Sequence, residues 1–180
     1  LMLVNNTYYT AIWFDEKEQK VKIINQLLLP FHFEIKELNS TEEVYNAIKN
    51  MEVRGAPLIG ITGAFGIYLA AKEAKNTNNS HAFIIEKAEY LKSSRPTAVN
   101  LFYAIDSVLS DISGIKSIDE IIAATLVSAR KILEKEIHDC FEIGKAGLPL
   151  IEEISKQKNG ETVNMLTHCN AGWIACGDYG

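Results

Sequence analysis

The chain has 180 residues, of which 47% are hydrophobic and 23% are charged, a balance typical of a globular protein with a buried core. Its net charge is −5 and it has no long Lys/Arg cluster, which argues against nucleic acid as a partner because a polyanion needs a basic face. The longest uncharged stretch, residues 55–71, is shorter than the roughly 20 residues of a membrane span. We therefore expect a buried helix there and no membrane partner.

The three cysteines, Cys140, Cys169 and Cys176, are too few and too unevenly spaced for a disulfide framework. They form no CxxC or Cys/His zinc pattern, so we expect no metal site. No glycine-rich nucleotide-binding motif is present either. The first ten residues lack the basic segment and long apolar core of a signal peptide, and we expect a cytoplasmic protein.

Residues 10–38 predict a small antiparallel sheet. Apolar residues nearly alternate in 10–15 and in 20–25, with a charged turn at 16–19 between them. After Pro30 the alternation resumes in 31–38. Alternation of this kind is typical of strands with one buried face.

Helical spacing begins at Ser40, which with Glu43 predicts a capping box at the start of a first helix. Pro57 suits the first turn of a second helix, and Ser80 is predicted to cap a third that reaches Tyr90. A fourth helix is expected over 98–110. The expected apolar face of the first helix comprises Val44, Ala47, Ile48 and Met51.

A long helix is predicted to start at a second capping box, Ser117 with Glu120, and to reach Ile143. Gly144 and Gly147 are expected to break it, and a short helix over 148–156 follows. Residues 162–167 are predicted to form a buried strand and 168–172 a turn, with a further helix starting at Trp173. A strand, a turn and a helix start resemble the first part of a βαβ unit.

Arg54 and Arg95 each occupy a turn that precedes a helix start. Free backbone N–H groups together with an arginine can bind an anion, so the two turns are candidates for a shared phosphate site. The alternative is a pair of solvent-exposed turn arginines. Spacing alone leaves the two interpretations equally open.

Cys169 is predicted to lie just past the carboxyl end of a strand, where open α/β sheets bind their ligands. A helix starting after it would favour the thiolate form, and a thiol at such a place can transfer a proton. The alternative is a small buried hydrophobic residue, which suits Cys140 and Cys176 better. His168 beside it is expected to be structural.

Four segments occur in an order that resembles the methylthioribose-1-phosphate isomerases, within the translation initiation factor 2B-like proteins. The likeness extends from about Val21 to Gly180, and THCNAG, around Cys169, is the most specific part. The segments are MEVRGAPLIGITGAFGIYLA, SRPTAVNLFYAID, EIGKAGLPLI and MLTHCNAGWIACGDYG.

The resemblance implies that Arg54, Gly55, Ala56 and Arg95 bind the substrate and that Cys169 is the catalytic cysteine. It implies an aldose–ketose isomerisation of 5-methylthioribose 1-phosphate to 5-methylthioribulose 1-phosphate in methionine salvage, without metal or redox cofactor, in a homodimer. The family's catalytic aspartate follows the matched motifs, so we expect a truncated chain whose activity is in doubt. Alternatives are another sugar 1-phosphate, such as 5-deoxyribose 1-phosphate or ribose 1,5-bisphosphate, or a regulatory subunit, which does not need Cys169.

The expected fold is α/β. We expect an N-terminal α+β domain over 1–116 with a small antiparallel sheet and helices. A long linker helix and the start of an incomplete Rossmann-like domain should occupy 117–180. An uncovered strand edge in that second part predicts poor solubility or dependence on a partner.

Overall fold

The computed structural model describes residues 2–180, except for the side chain of Met2. It opens with a hairpin that the sequence analysis did not predict, in which β1 (Met2–Val4) pairs antiparallel with β2 (Thr7–Tyr9). The two residues between the strands, Asn5 and Asn6, both have positive φ, as a two-residue hairpin turn requires.

A three-stranded antiparallel sheet follows, in the order β3 (Ile12–Asp15), β4 (Lys20–Ile24), β5 (Ile35–Leu38). The predicted sheet is thus confirmed, but its last strand is shorter than expected. Residues 31–34 lie outside it, and Phe31 is 97% exposed. The reason is local: after β4 the chain first forms a turn, and it returns to pair with β4 only from Ile35 onward.

Five helices follow the sheet, and the second is at the centre of the fold. Most residues of α2 are buried, and it contacts each of the other helices, which confirms the buried helix expected from the uncharged stretch. Among residues 2–180 no helix is both long and apolar enough to cross a membrane. The helices are α1 (Thr41–Lys49), α2 (Ala56–Ala74), α3 (Ser80–Ser93), α4 (Val99–Asp111) and α5 (Ile118–Gln157).

The helix caps agree with the sequence in one case and differ in two. Ser40 accepts a hydrogen bond from the Glu43 N–H at 3.2 Å, as predicted, but the Glu43 carboxylate accepts from the Asn39 N–H at 2.6 Å and not from Ser40, so only half of the capping box forms. The cap of α3 is Asn79 and not Ser80, because the Ser80 hydroxyl donates instead to the Ala74 carbonyl. Ser117 precedes α5 but its side chain makes no capping hydrogen bond, so the second capping box was wrong.

The apolar face of α1 is buried at Val44, Ala47 and Ile48. Met51 does not belong to it, because α1 ends at Lys49 and Met51 has a φ of 65° in the following loop. Its side chain is exposed.

The long helix α5 does not break where the sequence predicted. It runs without interruption through Gly144, Gly147 and Pro149. The missing N–H of Pro149 leaves only the Lys145 carbonyl without its helical partner, and this side of α5 is exposed, so water can satisfy that carbonyl. Glycine in an exposed helix costs about 1 kcal/mol relative to alanine, which is too little to end a 40-residue helix.

The strand predicted at 162–167 was wrong. These residues form no strand, and Met165 and Leu166 are 74% and 100% exposed. A strand is stable only when its backbone N–H and C=O groups pair with a neighbour, and within residues 2–180 no strand lies beside this segment. The helix expected from Trp173 is a single 3-10 turn, Trp173–Ala175. The mixed α/β class is confirmed, whereas the described residues form no Rossmann-like unit.

Two glycine-to-alanine substitutions are expected to have opposite effects on stability. Gly60 is packed between α2 and α4, whereas Gly144 is exposed on α5. A Cβ at Gly60 would lie 2.8 Å from the Asn100 backbone oxygen, which cannot move away easily. Gly144 in α5 has nothing within 4 Å. We expect Gly60→Ala to lower the free energy of unfolding by about 1–3 kcal/mol. Gly144→Ala should raise it by about 0.5–1 kcal/mol. Urea unfolding measures both, and equal effects would contradict the packing described.

Candidate functional site

Two helices, α2 and α4, begin without compensation for their free N–H groups. Neither start has a side-chain cap or an acidic residue in its first turn. The other three starts differ, because α1 and α3 are capped by side chains and α5 has two acidic residues in its first turn. Free N–H groups at a helix start favour a bound anion. The two uncompensated helices are those that follow the Arg54 and Arg95 turns.

The starts of α2 and α4 are neighbours. Gly60, in the second turn of α2, lies against the Asn100 backbone in the first turn of α4. One turn further on, Gly63 lies against the Leu101 side chain. Small residues on α2 allow this approach, and the two helices thereby place their positively polarised ends close together.

The turn before α2 depends on Gly55. This residue has a φ of 103° and is buried, a combination that favours glycine. Its carbonyl accepts the first helical hydrogen bond, from the Ile59 N–H at 3.0 Å. The N–H groups of Ala56 and Leu58 therefore precede the first helical donor, and Pro57 between them has no N–H to satisfy. Two backbone donors are left at this end of α2.

Arg54 lies at the same end and is only partly satisfied. Its Nη2 donates to the Gln26 carbonyl at 3.3 Å. Its Nε is buried and has no hydrogen-bond partner within residues 2–180. A buried donor without an acceptor costs about 1–3 kcal/mol, and a charged one costs more. The arrangement is that of an arginine that lacks an acceptor on its Nε side.

The nearest acidic residue in sequence does not neutralise Arg54. Glu52 is largely buried, and its carboxylate is paired with the Lys36 ammonium at 2.7 Å. Within the described part of the chain no ion pair uses Arg54 or Arg95, whereas Arg130 pairs with Glu16. The two turn arginines thus keep their positive charge available.

Arg95 is half-buried in the turn before α4. Its carbonyl accepts a hydrogen bond from the Ala98 N–H at 2.9 Å, which shapes that turn. No hydrogen bond in residues 2–180 joins the side chain of Arg95 to Arg54 or to Cys169. The structure therefore places the two arginine turns before adjoining helix starts.

The segment after Cys169 is anchored beside the Arg54 turn. We call residues 173–177 the docked segment. Ala175 lies so close to Gly55 that a Cβ on the glycine would be 2.5 Å from the Ala175 Cβ. The Ile174 carbonyl accepts a hydrogen bond from the Gln26 side chain at 2.9 Å, and the Gly177 carbonyl accepts one from the Ala11 N–H at 3.3 Å.

Cys169 itself lies in an exposed turn, four residues before the docked segment, with a φ of 67°. Its predicted place at the end of a strand was wrong, because residues 162–167 form no strand. The predicted effect of a following helix also has no basis here, since a single 3-10 turn follows. Residues 170–172 connect Cys169 to the docked segment, and it is the docked segment that lies against the Arg54 turn.

Cys140 and Cys176 differ from Cys169. Cys176 in the docked segment is buried against α5, and burial raises the pKa of its thiol to about 12, with a hydrogen bond to the Cys140 thiol as a further cause. At neutral pH Cys176 is therefore an uncharged, poorly reactive thiol. Both cysteines fit the packing role expected from the sequence.

Differential alkylation of the thiols tests this description. We expect iodoacetamide at pH 8 to modify Cys169 much faster than Cys176, because one is exposed and the other is buried as the neutral thiol. Peptide mass spectrometry measures the rates, and urea-unfolded protein is the control in which all cysteines should react alike. Equal rates for Cys169 and Cys176 in the folded protein would contradict the structure.

Comparisons with known proteins place this arrangement in a family. The family model of the initiation factor 2 subunit family matches residues 52–176. A methylthioribose-1-phosphate isomerase from Desulfatibacillum aliphaticivorans is 47% identical over 99% of this chain and 49% of its own length. One from Desulfosudis oleivorans is 43% identical over 94% of this chain and 46% of its own. The chain thus spans about half the length of the curated relatives it matches.

Two solved structures have the same fold. The 5-methylthioribose 1-phosphate isomerase from Pyrococcus horikoshii OT3 matches with a TM-score of 0.78 and 33% identity, over 96% of this chain and 46% of that one. The translation initiation factor eIF-2B subunit delta from A. fulgidus matches with a TM-score of 0.79 and 33% identity, over 96% and 48%. The chain belongs to the initiation factor 2 subunit family, and its resemblance to the isomerases within it is confirmed.

Gln26 belongs to this region of the structure but was not predicted from the sequence. This residue is 3% exposed and contacts both the Arg54 turn and the docked segment. Its partners are 28 and 148 residues away, so no local spacing reveals it. The only local signal was a pair of amides, Asn25 and Gln26, within an apolar run.

Proposed function

We propose that this chain acts in the isomerisation of 5-methylthioribose 1-phosphate to 5-methylthioribulose 1-phosphate and supplies part of the phosphate site. The observation that carries the proposal is the buried Nε of Arg54, which has no acceptor and lies at an uncapped helix start. A phosphate oxygen is the acceptor that best matches an arginine fork beside free backbone N–H groups. The names of the relatives identify a sugar phosphate as the ligand of those proteins.

Each residue of the proposed site has a separate task. Arg54 and the Ala56 N–H bind phosphate oxygens, Gly55 lets the backbone approach them, and Arg95 adds positive charge from the start of α4. Cys169 acts at the sugar. The anomeric oxygen of this substrate carries the phosphate, so the ring does not open as a free hemiacetal does and needs acid–base assistance. An exposed thiol can exchange a proton at the anomeric end while the phosphate is fixed.

Two alternatives remain less favoured. The solved structure of an initiation factor subunit has the same fold, so fold alone does not separate an enzyme from a regulatory subunit. The isomerase names of the curated relatives and Cys169 within THCNAG favour the enzyme. Another sugar 1-phosphate would use the same phosphate site, and the test below distinguishes it.

Localisation and assembly belong to the same proposal. We propose a cytoplasmic protein that acts as a homodimer. The division at residues 116 and 117 stays a prediction, although the first half of α5 packs into the core at Ile121 and Ala129.

The test is turnover of 5-methylthioribose 1-phosphate by the purified chain, followed by phosphorus and proton NMR. We expect ketose formation, and we expect Cys169→Ala to lower the rate by at least about 100-fold because it removes the proton-transferring group. Cys140→Ser removes a thiol outside the proposed site but keeps a group that can hydrogen-bond to Cys176, and it should keep the activity. Full turnover by Cys169→Ala would contradict the catalytic assignment. Turnover of ribose 1,5-bisphosphate but not of the methylthio substrate would favour the alternative substrate.

A further inference from the structure

Gln26 connects two parts of the proposed site that are far apart in sequence. Its backbone carbonyl accepts a hydrogen bond from Arg54 Nη2 at 3.3 Å. Its side-chain Nε2 donates to the Ile174 carbonyl in the docked segment at 2.9 Å. Its backbone N–H donates to the Glu52 carbonyl at 2.9 Å, which fixes the residue to the loop that precedes Arg54. A single buried residue therefore joins the arginine turn and the segment after Cys169.

The contacts on either side make this connection specific. Glu52 is fixed by its ion pair with Lys36 on β5, so the Gln26 backbone is tied to the sheet. Ala175, next to Ile174, lies against Gly55, next to Arg54. A displacement of the Gln26 side chain would therefore release the docked segment on one side of the Gly55 turn. It would leave the Ile174 carbonyl without this donor.

We infer that Gln26 is a positioning residue that couples the Arg54 turn to the docked segment, which begins four residues after Cys169. The inference rests on the proposed function, because it concerns the relative position of phosphate and thiol. In the proposed site Gln26 contacts neither the phosphate nor the Cys169 thiol. It holds one nitrogen of the Arg54 guanidinium through its carbonyl, leaving Nε for the ligand, and it fixes through its amide the docked segment that follows Cys169.

The test uses the full chain with two shape-matched variants and one control. Gln26→Met keeps the length of the side chain but has no donor. Gln26→Glu keeps the shape and can donate to the Ile174 carbonyl only when its carboxyl is protonated. Gln157→Glu makes the same chemical change at an exposed site at the end of α5. Hydrogen exchange is measured as protection factors for the amides of the docked segment and for the Ile59 amide, which donates to the Gly55 carbonyl. The measurements cover about pH 8 to about pH 5, the range in which a buried carboxyl titrates.

We expect Gln26→Met to lower protection in both regions about tenfold at every pH, as the loss of one buried hydrogen bond predicts. Gln26→Glu should show the same loss at high pH and recover at low pH, where the acid can donate. Gln157→Glu should match the wild type throughout. Wild-type protection in Gln26→Met would overturn the inference, because Gln26 would then only fill space. A loss confined to the docked segment would overturn it because the two regions would not be coupled, and no recovery in Gln26→Glu would overturn it because the loss would not come from the missing donor.

A second measurement separates this inference from the proposed function. In the wild type, 5-methylthioribose 1-phosphate should raise the protection of the docked segment, and in Gln26→Met it should not. If the ligand does not bind to the wild type but the exchange results hold, the proposed function fails and the coupling stands. If Gln26→Met binds the ligand and protects the docked segment as the wild type does, the coupling fails and the proposed function stands.

Discussion

Arg54→Met is expected to weaken the binding of 5-methylthioribose 1-phosphate by about 10- to 100-fold. The reason is the loss of charge-assisted hydrogen bonds to the phosphate, which contribute about 1.5–3 kcal/mol. Isothermal titration calorimetry measures the affinity. Lys49→Met is the matched control, because it removes one positive charge from an exposed position on α1. It should change the affinity little, since exposed charges outside the site are screened by salt.

The stability of Arg54→Met shows whether Arg54 binds the ligand or only supports the fold. Nε of Arg54 is buried without a partner, so the folded state gains little from it. We therefore expect Arg54→Met to leave the free energy of unfolding unchanged or to raise it. A large loss of stability together with unchanged affinity would mean that Arg54 only supports the loop before α2.

Gly55→Ala is expected to lower the free energy of unfolding by about 2–4 kcal/mol, the sum of backbone strain and overpacking. Gly55 has a φ of 103°, and its added Cβ would lie 2.6 Å from the Ala175 Cα. Both the turn and the docked segment must move to accept it. For function, we expect the docked segment to move away from the Arg54 turn, and Cys169 to move with it.

Gly114→Ala is the control for strain alone. Gly114 also has a positive φ, 89°, but a Cβ there would meet nothing within 4 Å. We expect it to lower the free energy of unfolding by about 1 kcal/mol, since only the strained backbone contributes. Urea unfolding of both variants measures the difference. Equal losses would contradict close contact between Gly55 and Ala175.

Much of the helical part could be predicted because its signals are local. The Ser40 cap and the proline in the first turn of α2 determine helix starts through contacts within a few residues. The failures come from tertiary context. Gly144 and Gly147 did not end α5, because a glycine in an exposed helix costs only about 1 kcal/mol relative to alanine. The strand expected at 162–167 has no neighbouring strand to pair with, and periodicity alone does not reveal this.

The candidate site also has one part that the sequence reveals and another part that it does not. Arg54 and Arg95 could be identified because an arginine turn before a helix start is visible in the sequence. That α2 and α4 adjoin depends on Gly60 lying against Asn100, 40 positions further along the chain, which no local pattern encodes. Gln26 was missed for the same reason, since its role arises only from contacts between distant segments.

The most direct measurement is a crystal structure of the chain with 5-methylthioribose 1-phosphate bound. A phosphate oxygen should lie about 3 Å from Arg54 Nε, with a second oxygen at a backbone N–H in the first turn of α2. Phosphate bound at another surface, with the Arg54 Nε still lacking an acceptor, would contradict the proposal that this turn binds the sugar phosphate.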